Sequence, residues 1–222
     1  MERVESAGRW YDGSVYASLV DRMLAGVREY VADRLPPGDT VLDACCGTGA
    51  LSMQLAQTGR TVLGVDISRR HIDFANARLT TSRTGVGSAR FEVGDVTQVT
   101  PPPCGQFDVA VIVLALHEMP RDARRSVLAR LTILAKRVMV VDFAAPMPRN
   151  LSGLRNRLME VAAGKEHFSA FRDWMDQGGI DALIATSPAN VECDRTLDAG
   201  TLRVVTLGSD LSNGTHGPLP SR

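Results

Sequence analysis

The segment from Thr40 to Gly49 constrains this chain more than any other. Thr40 to Ala44 is short, apolar and β-prone, and Cys45-Cys46-Gly47-Thr48-Gly49 follows at once. Ala50 to Gln57 then reads as a helix that Gly59 stops. A strand that feeds a glycine turn and then a helix aims the helix's free N–H groups and positive dipole end at that turn. Gly47 and Gly49 let the backbone approach a ligand, because no Cβ stands in the way. Such a turn suits many nucleotides, and a tight turn without a ligand is the plain alternative.

The rest of the chain keeps the same rhythm. Val15, Leu19, Met23, Val27 and Val31 recur every four residues, so a helix capped by Ser14 is expected to end at Leu35-Pro36-Pro37. Strands are predicted at Thr61 to Val65, Ala89 to Val93, Phe107 to Ala115 and Arg137 to Phe143. Helices are predicted from Ser68 to about Leu79 and from Pro120 to about Ala135. Five strands alternating with helices imply a parallel sheet wound by right-handed crossovers. Past Ala145 the alternation breaks. Asn150 to Ala163 and Glu166 to Gln177 both look helical, and Gly178-Gly179 supplies a C-cap and a hinge. Val191 to Leu197 and Thr201 to Leu207, joined by Asp198-Ala199-Gly200, read as a hairpin that ends the sheet in an antiparallel pair.

One domain over residues 1–208 is therefore expected, with residues 1–38 as an N-terminal helical segment and 145–187 as a helical lid. Residues 209–222, rich in Gly, Pro and Ser, read as a disordered tail. The 25 basic and 25 acidic residues cancel, which argues against binding duplex nucleic acid through its phosphates. The N-terminus lacks the apolar core of a secretory signal, and the longest apolar run, Val109 to Leu116, is too short to span a bilayer. The four cysteines, Cys45, Cys46, Cys104 and Cys193, match no zinc or redox spacing. A reduced cytoplasmic setting without a metal follows as the expectation. Oligomeric state stays open, a homodimer being among the states allowed.

Two carboxylates stand at later strand ends. Asp66 closes the second strand, where an acid beside a glycine turn accepts ribose hydroxyls. A helix N-cap is its alternative role, although Ser68 is better placed for that. Asp95 follows the third strand and can accept an adenine amine, or serve as a turn aspartate.

Val41 to Gly49 resembles the first motif of class I S-adenosylmethionine-dependent methyltransferases. Leu63-Gly64-Val65-Asp66 resembles the second motif and Phe91 to Val96 the third. Phe107 to Pro120, with Leu116-His117-Glu118-Met119-Pro120, is similar to the branch that includes ubiquinone and menaquinone biosynthesis methyltransferases. The resemblance implies an α/β, doubly wound, seven-stranded and mostly parallel sheet, in the order 3-2-1-4-5-7-6 with strand seven antiparallel. It also implies S-adenosylmethionine as methyl donor and S-adenosylhomocysteine as product. Asp43 would orient the first loop and, through water, the ligand's amino group. Cys45, Gly47, Thr48 and Gly49 would face the methionine part. Asp66 would hold the ribose, Ile67 would pack on the adenine, and Asp95 and Val96 would hold its other edge. Leu114 to His117 would line the methyl-transfer site, and Tyr11 would close over the donor. Cys45 departs from the family pattern, which often has Gly there, and its Cβ is expected to keep the backbone at ordinary φ.

His117 is the candidate general base, since its ordinary pKa of ~6.5 suits proton transfer near neutrality. A structural histidine paired with Glu118 is the equal alternative. No second histidine follows at the zinc-protease spacing. In the lid, Leu151, Leu154 and Leu158 form one apolar stripe, and Phe168, Phe171, Trp174 and Met175 another. His167, Phe168 and Phe171 are the candidate substrate contacts for a small hydrophobic or aromatic acceptor, against the alternative that the aromatics are core. Arg121, Arg124, Arg125, Arg130, Lys136 and Arg137 cluster near one helix and read as a solvated face or a dock for an acidic partner. Two other functions remain. Gly47, Gly49 and Ser52 fall on the dinucleotide spacing, which fits a nicotinamide-dependent oxidoreductase, and a non-catalytic S-adenosylmethionine binder is not excluded.

Overall fold

The computed structural model describes residues 24–81, 86–103, 105–187 and 189–208. Tyr11, Ser14, the first turns expected of the N-terminal helix and residues 209–222 lie outside the described residues.

Seven strands form one sheet in the order β3-β2-β1-β4-β5-β7-β6. They are β1 (Thr40–Ala44), β2 (Thr61–Asp66), β3 (Ser88–Val93), β4 (Phe107–Val113), β5 (Ala135–Phe143), β6 (Asn190–Leu197) and β7 (Leu202–Gly208). The first five pair in parallel. β7 runs antiparallel to both β5 and β6, as the hairpin signal required. The helices are α1 (Ala25–Arg34), α2 (Ala50–Gln57), α3 (Arg69–Thr81), α4 (Arg121–Leu134), α5 (Leu151–Ala163), α6 (Lys165–Gln177) and α7 (Ile180–Ile184).

Burial explains the strand compositions. Val41, Leu42, Val109, Ala110, Val111 and Val141 are buried because central strands are covered on both faces. The edge strands β3 and β6 are mostly exposed and carry Arg90, Glu92, Glu192, Asp194 and Arg195, charges that discourage edge-to-edge pairing. β4 stops at Val113, two residues before the expected end, because Leu114 turns to φ +50° and a 3-10 turn occupies Leu116–Glu118.

The directions of the basic side chains near α4 and of the lid stripes follow from packing. The basic residues near α4 do not form one solvated face. Arg124 is buried, Arg130 donates to the Val99 carbonyl at 2.6 Å, and Lys136 pairs with Asp108 at 2.7 Å. Arg121 meets Asp173 at 3.2 Å, and Arg137 meets Asp39 at 3.6 Å. The leucine stripe of α5 points outward, with Leu151, Leu154 and Leu158 exposed, while Gly153, Asn156 and Glu160 are buried. The aromatic stripe of α6 does face inward at Phe171 and Trp174, whose indole N–H donates to the Phe143 carbonyl at 2.9 Å. Gly178 caps α6 at φ +88°. Gly179 is close-packed, since a Cβ there would stand 2.9 Å from Ala145, so the expected hinge is a filled corner.

Candidate active site

The carboxyl ends of β1, β2 and β4 converge where the strand order reverses, the crevice in which open α/β sheets bind ligands. Asp43, one residue before the end of β1, is buried and accepts a 2.6 Å hydrogen bond from the Ser52 hydroxyl of α2. Burial pushes the Asp43 carboxyl up to about 7, with the neighbouring Asp66 adding to the rise. Ser52, which the oxidoreductase reading put in a glycine's place, is thus a buried anchor for α2.

Beyond Asp43 the chain makes a tight elbow. Cys45 adopts φ +57°, contrary to the ordinary value expected of a residue with a Cβ. The rest of the elbow holds it there: the Cys46 amide donates to the Val65 carbonyl at 3.1 Å, and the Gly49 amide to the Cys46 carbonyl at 3.0 Å. Burial raises the Cys45 thiol to about 12 and the Cys46 thiol further still, and the carboxylates of Asp43 and Asp66 raise both. Both therefore stay protonated, the unreactive form of cysteine.

The two glycines have different duties. Nothing lies within 4 Å of where a Gly47 Cβ would stand, so its backbone is open to a ligand. A Cβ on Gly49 would come within 2.5 Å of the Phe91 ring and 2.9 Å of Ala75. Gly49 therefore serves close helix–sheet packing rather than ligand approach. Gly64 shares the role, its Cα facing the same ring, and the sequence reading missed it. Thr48 is half-buried between the two elbow glycines.

Asp66 faces the elbow. Its Oδ2 accepts from the Gly47 amide at 2.9 Å and its Oδ1 from the Ser68 amide at 2.8 Å. Burial pushes its carboxyl up, but His71 and these two amides outweigh it and hold it below the usual carboxylate range. Asp66 is thus an anion at the mouth of the elbow. Ser68 takes the capping duty, accepting from the His71 amide at 3.3 Å. Ile67 is 62% exposed at the lip. Asp95 Oδ1 accepts from the Thr97 amide and hydroxyl, both at 2.8 Å, and Val96 beside it is buried.

A second group of polar residues lies past β4, where Leu114 adopts φ +50°. His117 is buried, and its Nδ1 stands 2.7 Å from Asp142 Oδ1 at the end of β5. Asp142 Oδ2 accepts from the amides of Leu116 and His117 at 3.0 and 3.2 Å. Burial would lower the His117 pKa, but Asp142, with Glu118 and Glu160, raises it to about 9. The imidazole is therefore a cation at neutral pH, which removes the property that recommended it as a base. Its partner is Asp142 rather than Glu118, which lies 3.8 Å from Nε2. His167 lies near the same site, its Nδ1 3.8 Å from Glu160 and its Nε2 3.7 Å from Glu118. The Phe171 ring meets Phe143 edge-on at 5.5 Å, and Phe168 stacks beside it at 6.2 Å.

Arg124 binds the lid to this turn. Its Nε donates to the Leu116 carbonyl at 2.9 Å, and its Nη2 to the Ala170 carbonyl of α6 at 3.1 Å. Its Nη1 reaches Asp173 at 2.8 Å. Asp142, Glu160 and Arg124 escaped the sequence reading of the site. Asp142 was detectable as an acid inside the apolar run of β5, but nothing in α5 distinguishes Glu160.

A Rossmann-like sheet with a reversed seventh strand and an acid-flanked glycine elbow is the fold of S-adenosylmethionine-dependent methyltransferases. Residues 41–137 match the family described as "Methyltransferase domain". It is 32% identical over 114 residues to a magnesium-protoporphyrin O-methyltransferase of a Synechocystis species, covering 51% of this chain and 48% of that protein. It is 28% identical over 162 residues to a demethylmenaquinone methyltransferase of Beutenbergia cavernae, covering 67% and 64%. The chain spans between about a third and a half of the curated relatives it matches first, 35%, 48% and 39% of their lengths. A crystal structure of the Synechocystis magnesium protoporphyrin IX methyltransferase with bound SAH superposes with a TM-score of 0.61 at 22% identity, over 91% of this chain and 92% of that one. No helix among the described residues is long and apolar enough to cross a membrane.

Proposed function

We propose that this chain transfers a methyl group from S-adenosylmethionine to a small hydrophobic or aromatic molecule. The observation that carries this reading is the anionic Asp66 hydrogen-bonded to the open Gly47 amide at 2.9 Å. Together they offer a hydroxyl-accepting carboxylate beside a stretch of backbone without a Cβ.

Asp66 would hold the ribose, the exposed Ile67 would cover one adenine face, and Asp95, through the oxygen not engaged by Thr97, would meet the adenine amine. The left-handed Cys45 and Leu114 stand at the ends of neighbouring strands on either side of the crevice. Strained backbone of this kind concentrates at working sites. When bound, the donor supplies a methyl carbon activated by positive sulfur. The protein's share of the work is alignment, exclusion of water and management of the acceptor's proton. His117, cationic and clamped by Asp142, acts as a hydrogen-bond donor to the acceptor. Phe168 and His167 would contact the acceptor from the lid. The free thiols of Cys45, Cys46 and Cys193 suit a reducing compartment, and we place the protein in the cytoplasm.

Isothermal titration with S-adenosylhomocysteine and with NADH tests the reading. Binding of the first alone is expected, and binding of NADH alone would end it. Turnover of a panel of phenols, quinones and small acids with labelled donor then separates an enzyme from a mere binder.

A further inference from the structure

Helix α5 is mounted inside out. Leu151, Leu154 and Leu158 are 86%, 52% and 59% exposed, while Glu160 is 9% exposed. An amphipathic lid helix ordinarily does the reverse. Glu160 Oε2 is buried with no hydrogen-bond partner inside 3.5 Å, and His167 Nδ1 stands 3.8 Å from it. A buried carboxylate in that condition is costly for a fold to keep. Breaches of this kind belong to functional sites.

The surroundings indicate what Glu160 awaits. His117 Nε2 lies 3.8 Å from Glu160 Oε1 and 3.8 Å from Glu118 Oε1. His167 Nδ1 lies 3.8 Å from Glu160 Oε2, and its Nε2 lies 3.7 Å from Glu118 Oε2. These gaps exceed a direct hydrogen bond, yet one oxygen seated beside such a pair, about 2 Å off the line that joins them, would stand ~2.8 Å from both. Asp142 occupies His117 Nδ1, so the cationic ring presents Nε2–H to the space. Glu160 presents only lone pairs. An oxygen that accepts from the one and donates to the other is a hydroxyl. Aromatic rings pack beside the cluster: Phe143 lies 4.7 Å from the His117 ring and 5.5 Å from Phe171. Glu118 is also close enough to the elbow for its charge to raise the Cys45 thiol.

The geometry points to Glu160 as the group that takes the acceptor's proton, and to an aromatic hydroxyl, a phenol or hydroquinone, as the acceptor. The inference rests on the methyltransferase reading and narrows it to O-methylation. The acceptor's O–H bond breaks toward Glu160, which becomes a carboxylic acid. The oxygen pair left behind forms the new O–CH3 bond. The S–CH3 bond breaks with its pair remaining on sulfur, so the sulfonium becomes a thioether. The proton later leaves Glu160 for water past the exposed Glu118.

The test uses the whole protein loaded with S-adenosylhomocysteine, with 2-naphthol and 2-methoxynaphthalene as probes in fluorescence titrations. The wild-type protein is expected to bind the naphthol at least about tenfold tighter than its ether, because the site's polar groups stay unpaired against the ether. In Glu160→Ala the ratio should fall to within about twofold, with affinity for S-adenosylhomocysteine and the folded baseline retained. Glu160→Gln keeps an acceptor oxygen but cannot take a proton. It should retain the preference for the hydroxyl yet lower turnover of any hydroxyl substrate by about 10²–10⁴-fold. Equal affinity for the two probes, no binding of either, or an unchanged ratio in Glu160→Ala overturns the assignment while leaving the methyltransferase reading intact. Failure to bind S-adenosylhomocysteine takes down both.

Discussion

His117 Nδ1 lies 2.7 Å from Asp142 Oδ1 in a fully buried pair that ties the turn after β4 to the end of β5. The pair lifts the histidine from 6.5 to about 9, against the opposing effect of burial. Because the folded value exceeds the unfolded one, the resulting stability is present below about pH 6.5 and is lost as pH rises through about 9. Its size is on the order of 3 kcal/mol. Urea midpoints at pH 6, 7.5 and 9 should fall steadily for the wild type, and His117→Gln should flatten that decline. A wild-type midpoint independent of pH over this window would show that the imidazole is neutral.

Asp66→Ala is expected to weaken binding of S-adenosylhomocysteine by roughly 2–3 kcal/mol, the loss of charge-assisted hydrogen bonds to hydroxyls. The same change frees the Gly47 and Ser68 amides, so thermal stability should also drop. Titration calorimetry beside a melting curve separates the two effects. Unchanged affinity would refute the ribose role.

Asp43 is also shifted upward, but by burial rather than by a partner, so its charge is a cost to the fold. Its carboxyl is raised from 3.8 to about 7, so the fold loses stability as pH climbs between those values and does not regain it above. Asp43→Asn, which retains an acceptor oxygen for Ser52, should therefore unfold at higher urea than the wild type at pH 8. It should also bind S-adenosylhomocysteine less tightly, a trade of function for stability. A lower midpoint at pH 8 would show that the charge is well tolerated.

Cys45 sits at φ +57°, where a Cβ costs roughly 1 kcal/mol. Cys45→Gly should accordingly be more stable than Cys45→Ala by about that amount, a comparison that cancels the lost thiol packing. Denaturant midpoints of the two variants provide the check. Equal midpoints would mean that the elbow relaxes.

Arg124 is buried and serves the carbonyls of Leu116 and Ala170 together with Asp173. Arg124→Met leaves those acceptors unserved and should cost about 3 kcal/mol or more. Arg124→Lys should recover only part, because an ammonium cannot span all three. A midpoint shift below 1 kcal/mol for Arg124→Met would count against the clamp.

Much of this architecture is legible in local pattern. The alternation of β-prone runs with helical ones, the glycine elbow after β1 and the hairpin around Asp198 specify seven strands, because backbone hydrogen bonding and burial on two faces act over a few residues, while their order was implied by the resemblance of the motifs. The same holds for Asp43, Asp66 and Ser68, each located by its place at a strand end or helix start. Side-chain direction in the lid obeys no such local rule. The leucines of α5 form an apolar stripe whose facing the sequence leaves open, and packing against α6 and the turn after β4 puts Glu160 inside and the leucines out. His117 reads alone as a neutral base, and becomes a cation only because Asp142, 25 residues further on, is folded against it. Gly49 reads as a ligand-facing residue until Phe91 from another strand is found beneath it. Hydrophobic periodicity sets where strands and helices run, whereas charge state and facing are fixed by contacts between residues distant in sequence.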